Sequence, residues 1–567
     1  MKIQSLCLAA IAASLVWVQH ADACSNVIIS AGASADGSCM VSYAADSHQL
    51  FGELYFTPAG RFRKGARLRI TEWDTAKPLG EIHQIPRTFK TVGNMNEKQL
   101  IIGETTWGGR EEQVDTNGIM DYGSLIYVTL QRAATARAAI DTIVSLANRY
   151  GYPSEGESFS IADPHEAWVM DLVGKGSGER GIVWVARRVP DGYICAHANQ
   201  CRITRFPLDD PQNCIYAPDV ISFARSQGWF DGADEKFSFR EAYNPLDFGG
   251  ARACDARAWA AFNILCDGMF VYEEGGVEVS RPASDWISYA LGHDLSGEMP
   301  LFVKPARKIT VKDVADVMRD HFEGTALDMT QDIGAGGNAL PYRWRPMHFS
   351  WNGKEYVNER AIATQQTGFW FVAQARGWLP DEVGALVWFG TDDAATSYLT
   401  PVYVSTSKVP ECLRVGNGDM LHYSATSQFW ISNRVAQACY KMYNVMAPTV
   451  RCAIDAFEQE QMFAAVPSLD ERVARLVSRG RLRKARRLMT RHTVSTAQSQ
   501  FAAWVSLEEM LLLKYMDGNV KAQNADGSFV HSEYSTGIPV GITNPPYVEA
   551  WRRAVAESEH GSVLEAR

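Results

Sequence analysis

The four residues Ala21-Asp22-Ala23-Cys24 constrain this chain more than any other stretch, because they set where its folded part begins. In front of them, Lys2 precedes an apolar run over residues 6–18. That run has signal-peptide length and is too short to span a bilayer comfortably. Ala21 and Ala23 supply the small residues of an A-x-A cleavage site. The expectation is that residues 1–23 are removed and that the protein is exported, to a periplasmic or extracellular compartment, with Cys24 as its first residue. Such a cysteine carries a thiol and a free α-amino group, with reference pKa values of about 8.5 and about 7.7–8.0. Proton transfer between them costs little, so the residue is a nucleophile with its own base attached. The competing reading is lipidation of Cys24 in a non-catalytic envelope binding protein. The small Ala21 and the acidic Asp22 suit a lipid-anchor signal poorly.

No later stretch is apolar for long enough to form a transmembrane helix, which argues against stable membrane insertion. A chain of 567 residues is long enough for a large core and for more than one domain. Its net charge of -10 argues against a nucleic-acid partner, which selects a basic footprint. With Cys7 and Cys24 set aside, an odd number of cysteines remains, so they cannot all pair within the chain. Cys201 with Cys214, or Cys254 with Cys266, are short-loop disulfide candidates; buried free thiols are the other reading. There is no CxxC and no His/Cys cluster with zinc spacing, so neither metal nor cofactor is expected. Asp328 and Asp332, and the pair Asp392-Asp393, fit no calcium loop and read as helix caps and loop residues.

Residues 24–31 and 40–45 read as β-prone runs around Ala35-Asp36-Gly37-Ser38, whose Asp-Gly pair is a hairpin signal. A polar turn at residues 93–98 precedes a buried strand over 100–106. Residues 131–150 predict a helix with Ala136, Ile140, Ile143, Val144 and Ala147 on one face and Gly151 as its C-cap. Strands follow over 158–162 and 167–173, joined by Asp163-Pro164-His165-Glu166, and then over 182–186 and 193–198. Residues 202–300 are mixed. Thr310 starts a helix that stops at Gly324. Strands return over 349–404. Beyond about residue 450 the chain turns to helices rich in Arg, Glu and Leu, and residues 480–491 are strongly basic, as on a solvated helix face.

Cys24 is the leading nucleophile. Asp46, at the end of the neighbouring strand, is placed to hydrogen-bond its α-ammonium and tune its pKa. Asn199, just past a strand, offers a side-chain amide N–H to an oxyanion. Thr105 and Thr106 end their strand where they could assist the oxyanion or the substrate, and His197 reads as a satisfied core histidine.

These residues, together with further blocks, resemble the cysteine N-terminal-nucleophile dipeptidase family that includes dipeptidase A and the secernins. The blocks are Gly93-Asn94-Met95-Asn96-Glu97, Glu104-Thr105-Thr106-Trp107-Gly108-Gly109-Arg110, Glu157-Ser158-Phe159-Ser160-Ile161-Ala162-Asp163 and His197-Ala198-Asn199-Gln200. Pro341-Tyr342-Arg343-Trp344-Arg345-Pro346, Asn358-Glu359-Arg360, Thr364-Gln365-Gln366-Thr367-Gly368 and Trp388-Phe389-Gly390 agree as well. The likeness runs from Cys24 to about Ala395 and is specific in combination. It implies an α+β N-terminal-nucleophile hydrolase, a four-layer αββα sandwich over residues 24–449. Residues 450–567 would then be a helical C-terminal region packed on the core. It implies a hydrolase that cleaves dipeptides through a thioester at Cys24, with Asn199 matching the oxyanion Asn. Penicillin V acylase and bile-salt hydrolase are similar more distantly, but Tyr43 stands where they carry an arginine. An amide acylase of the same fold, acting on N-acyl amino acids or related amides, is the close alternative. A dipeptide brings an ammonium and a carboxylate, for which Glu104 and Arg360 are the expected countercharges. A homo-oligomer is left open.

Overall fold

The computed structural model describes residues 23–331, 333–342, 348–357 and 359–566. The expected signal up to residue 22, Asp332, residues 343–346 of the Pro341 block, and Asn358 lie outside the described residues.

The chain is mixed α+β, built on two large antiparallel sheets. Their strands, in chain order, begin with β1 (Ala23–Ile29), β2 (Cys39–Asp46), β3 (Phe56–Thr57), β4 (Thr91–Val92), β5 (Met95–Asn96), β6 (Ile101–Trp107) and β7 (Gly156–Ala162). They continue with β8 (Ala167–Gly174), β9 (Ile182–Arg188), β10 (Ile194–His197), β11 (Cys214–Tyr216), β12 (Thr367–Ala375), β13 (Ala385–Thr391) and β14 (Thr400–Tyr403). One sheet has six strands in the order β10-β1-β2-β12-β13-β14, and the other has eight in the order β11-β9-β8-β7-β6-β5-β4-β3. The connection from β1 to β2 is longer than a tight hairpin. Ala35 N–H donates to the Ile309 carbonyl at 2.8 Å, and Asp36 and Gly37 turn the chain only after that detour, Gly37 with φ 79°.

Strands buried on both faces explain why these runs lack a polar stripe. Ile28, Val41 and Tyr43 belong to the core shared with the eight-stranded sheet, whereas Val27, Ile29, Met40 and Ala44 belong to a second core formed with helices. The sheets approach closely at Gly103 on β6. A Cβ there would lie 2.9 Å from Asn26 Nδ2 and 3.4 Å from Val41, so the position needs glycine.

Helices α1 (Tyr122–Leu130) and α2 (Ala136–Tyr150) lie against the eight-stranded sheet. The helix predicted from residue 131 starts five residues later, because the Thr135 side chain accepts the Ala138 N–H and caps it there. Helices α3 (Ala256–Leu265) and α4 (Val311–Val317) cover the six-stranded sheet, and Thr310 and Asp313 close a capping box at the start of α4. The last helical set comprises α5 (Gln428–Cys439), α6 (Tyr443–Glu460), α7 (Val466–Ser478) and α8 (Leu482–Lys514). A boundary at residue 450 therefore falls inside α6. Residues 519–548 are not helical; they carry a short hairpin over residues 531–539. Among the described residues, no helix is long and apolar enough to cross a membrane.

Helices α7 and α8 complete the edge of the six-stranded sheet. Strand β14 presents unpaired backbone groups there. Thr493 Oγ1 donates to the Pro401 carbonyl at 3.2 Å, and Gln500 Nε2 donates to the Leu399 carbonyl at 3.1 Å. Asp470 of α7 receives Arg376 Nη1 at 2.6 Å and the Tyr403 hydroxyl at 2.8 Å. Breaking a buried pair by removing one partner costs about 3–5 kcal/mol. Asp470→Ala is expected to lower the thermal midpoint and raise urea sensitivity on that scale, and truncation at Thr449 to give insoluble protein. A soluble truncated chain with a normal melting transition would contradict this account of the edge.

Candidate active site

Antiparallel pairing gathers the site at one end of the six-stranded sheet. Ala23 pairs with Asp46, Cys24 with Ala45, Asp46 with Thr367, and Phe369 with Thr391. The start of β1, the end of β2, the start of β12 and the end of β13 thus form one row.

Successive residues of a strand face opposite ways, so Cys24 and its neighbours look into two different environments. The Cys24 side chain points toward the eight-stranded sheet. Its Sγ lies 3.6 Å from Glu104 Oε1 and 3.8 Å from the Tyr43 hydroxyl, and that hydroxyl donates to the same Glu104 oxygen. Tyr43 is therefore the residue that holds Glu104 against the thiol. Glu157, on the neighbouring strand β7, accepts from Thr106 Oγ1 at 3.1 Å and hydrogen-bonds Glu104. Burial, then the charge of Glu104, pushes Glu157 well above the usual carboxylate range. The charge of Glu104 this close favours the protonated form of Glu157. Burial also pushes the Cys24 thiol well up, and the nearby Glu104 and Asp46 add to the effect. The thiol is protonated at neutral pH and needs a base.

The other side of the row is cationic. Arg257, on α3, is buried and donates through Nη1 to the Cys24 carbonyl at 2.8 Å and to Ser25 Oγ at 3.0 Å. Its Nη2 donates to the Ala198 carbonyl at 3.2 Å and to Asn199 Oδ1 at 2.9 Å. The same Asn199 oxygen accepts the Cys24 N–H at 2.9 Å, and Asn199 Nδ2 donates to the Thr106 carbonyl at 2.5 Å. Two donors on the oxygen and an acceptor on the nitrogen fix which way the amide points. Asn199 has φ 58°, a left-handed conformation that asparagine tolerates better than most residues. Arg360 is near Arg257, Asp46 and Cys24, and burial with the Arg257 charge lowers its pKa to about 10.

Asp46 is buried at the join. Its Oδ1 accepts from Thr367 Oγ1 at 2.7 Å, while Oδ2 accepts no hydrogen bond among the described residues. Burial raises its pKa to about 7, against the pull of Thr367, Arg360 and Arg257.

Thr105 turns away from the thiol. Its hydroxyl meets His197 Nδ1 at 2.7 Å, and Ser160 meets Nε2 at 2.7 Å. Burial lowers His197 to about 3, so it is a neutral residue held between two hydroxyls. Asp393 caps the turn Ala394–Thr396 and accepts from Tyr342 and Tyr440 at 2.7 and 2.9 Å; Asp328 serves its own loop. Cys201, Cys214, Cys254 and Cys266 are free thiols, so neither candidate disulfide forms. Sequence reasoning missed Arg257, Glu157 as a partner of Glu104, and Thr367. The signal for Arg257 was a lone charge in the apolar run Ala256-Arg257-Ala258-Trp259-Ala260.

In this state, with Ala23 still joined to Cys24, the raised Asp46 pKa makes a pH prediction. Between the ordinary aspartate range and about pH 7 the folded state holds a proton that the unfolded state has lost. Stability therefore falls as pH rises through that window. The melting temperature of the uncleaved chain is expected to decline from pH 4.5 to 7 more steeply than that of Asp46→Asn. Parallel profiles would show that Asp46 is not buried and protonated there.

The family model for peptidase family C69 matches residues 58–455, more than half of the chain and beginning beyond the Cys24 strand. A protein named probable dipeptidase from Salmonella dublin is 24% identical over 417 residues, covering 70% of this chain and 84% of its own. Probable dipeptidase B of Lactococcus lactis subsp. lactis (strain IL1403) is 22% identical, covering 73% and 80%. Probable dipeptidase A of Streptococcus pyogenes serotype M3 (strain SSI-1) is 22% identical, covering 73% and 82%. With a packed two-sheet core under a match of this extent, the chain belongs to peptidase family C69.

Proposed function

We propose that this chain is an exported cysteine dipeptidase whose nucleophile is Cys24, exposed as the N-terminal residue by removal of residues 1–23. One observation carries the reading: Cys24 lies between an acidic pole, Glu104 with Glu157, and a cationic one, Arg257 with Arg360. A dipeptide has a positive and a negative end, and its scissile carbonyl lies between them. The α-nitrogen of the acyl residue is about 2.5 Å from the carbonyl carbon by standard backbone geometry. A carboxylate that binds that ammonium must therefore sit close to the attacking sulfur, as Glu104 does at 3.6 Å. Arg360 is the counterpart for the C-terminal carboxylate. The sheets and their outer helices are read here as the four-layer sandwich of N-terminal-nucleophile hydrolases.

Without Ala23, the Cys24 nitrogen becomes an amine. Asn199 Oδ1 already accepts from that nitrogen, and Asp46, paired across the strands with Ala23, keeps an acceptor oxygen, Oδ2, that takes no hydrogen bond among the described residues. The two would orient the amine so that it takes the thiol proton as Sγ attacks the carbonyl carbon. Asn199 Nδ2 carries a second hydrogen for the developing oxyanion. The ammonium then protonates the leaving amine, and water activated by the same amine hydrolyses the thioester. Tyr43, engaged with Glu104, takes the place of an acylase arginine and favours a free amino group on the substrate.

Any residue left before Cys24 turns the amine into an amide that accepts no proton near neutral pH. Turnover is expected to fall by about a hundred- to ten-thousand-fold or more, with the fold intact. Cys24→Ser should be much slower and Cys24→Ala inactive. Protein with Met-Cys24, the same protein trimmed to Cys24 and exported protein, each checked by mass, make the comparison. Full activity with an extended or acylated terminus would overturn the mechanism.

Substrate charge is a separate test. Glu104→Gln is expected to lower kcat/KM for dipeptides by about 30-fold or more, the loss typical of truncating one partner of a buried charge pair. It should leave N-acetylated dipeptides as poor as before. Comparable rates on N-acyl amino acids and free dipeptides in the unaltered enzyme would favour the acylase alternative.

A further inference from the structure

The hairpin of α7 and α8 carries a cationic tip that the chemistry above does not use. Residues 471–491 hold nine Lys and Arg against the single acid Glu471, although the whole chain has 65 Asp and Glu against 55 Lys and Arg. Eight of the nine are exposed. Among the described residues the one ion pair of this segment is Arg475 with Glu471, at 3.6 Å. An ordinary solvated helix face intersperses both signs; this one does not.

The placement also runs against the helix that carries it. Arg481, Arg483, Lys484 and Arg487 stand at and just beyond the N-terminus of the 33-residue helix α8, where its dipole favours anions. That first turn has no acidic residue, and no side chain caps its N–H groups. Positive charge collected at a positive helix end raises the local potential, which folding alone does not require.

The tip is rigidly based. Leu469, Val473, Ala485 and Met489 are buried in the core with the six-stranded sheet, and Asp470 and Thr493 are bonded to that sheet's strands. The cations are therefore presented without an ordering cost to the backbone.

We propose that this tip docks the protein on an anionic phospholipid bilayer surface. Charge complementarity identifies the partner, and shape favours a bilayer over a nucleic acid. Both helices spend their apolar faces on the core, so neither can lie in a groove, and residues 471–491 contain no aromatic side chain to stack on a base. An exposed cationic tip instead gathers laterally mobile anionic headgroups around it. No exposed large apolar side chain lies on the tip, so binding is electrostatic and peripheral rather than inserted.

The test uses the full chain with vesicles of phosphatidylcholine alone or with about one-third phosphatidylglycerol, read by co-flotation. Binding is expected only to the anionic vesicles and is expected to weaken steeply with added salt. The combined variant Arg479→Ser, Arg481→Ser, Arg483→Ser, Lys484→Ser should lose at least about a hundredfold in vesicle affinity. Its melting temperature should not fall, since the helix end loses unfavourable cations and gains a serine at its N-cap, and its peptide hydrolysis should not change. A control with Arg61→Ser, Arg63→Ser, Lys64→Ser and Arg87→Ser removes the same charge from another exposed region and should bind nearly as well as the parent. Equal loss in the control, equal binding to neutral vesicles, salt-insensitive binding, or no vesicle binding would overturn the proposal. So would tighter binding to a short DNA duplex than to the vesicles at the same salt.

Discussion

A guanidinium inside a protein is tolerated only where its donors are met, since an unpaired buried charge costs several kcal/mol. Arg257 meets that condition with four acceptors that belong to the site itself: the Cys24 and Ala198 carbonyls, Ser25 Oγ and Asn199 Oδ1. It joins the start of β1 to the turn after β10. Through Asn199 it reaches the Cys24 nitrogen on one side and the Thr106 carbonyl of the other sheet on the second. The orientation of the amide, the position of the Cys24 nitrogen and the approach of β6 are thus one set of interactions. Without the cation, the amide oxygen would keep one donor and the Cys24 carbonyl would lose this buried partner.

The chemistry depends equally on how close the two sheets come. Gly103 admits Asn26 and lets β6 lie against β1 and β2. Two residues of that strand region then do different work. Glu104 reaches the thiol and Tyr43, and Thr105 closes on His197, whose ring is pinned by Ser160 from β7. The result is a thiol with carboxyls on one face and guanidinium groups on the other. Burial raises Cys24, Asp46 and Glu157 and lowers Arg360, so each of these four favours its neutral form more than it would in water.

Much of the local structure was legible in the chain. The two β-prone runs after Ala23, the strand ending at Thr106, the strands around Asp163-Pro164 and the Thr310 cap rest on neighbouring residues, and the structure has them close to where the pattern lies. The start of α2 moved because a short threonine cap outweighed the helix preference of Gln131 to Ala134. The helices that begin before residue 450 were hidden because α5 and the start of α6 have few of the charges that mark the later ones. Beyond Lys514 the pattern suggested more helix than there is.

By itself the sequence determined which residues stand at the start of the first strand and at the end of its neighbour, Cys24 and Asp46. Cys24 and Asp46 are brought together by one antiparallel pairing between two β-prone runs that are near neighbours in the chain. Only the tertiary structure decided what surrounds them. Arg257 comes from 233 residues away, Glu104 from 80, and Asn199 from 175. Their partners are largely backbone carbonyls and buried oxygens, which have no signature in a one-dimensional pattern. Periodicity is a property of contiguous residues. A pKa or an oriented amide is a property of everything packed within a few ångströms, and that set exists only once the sheets have closed on one another.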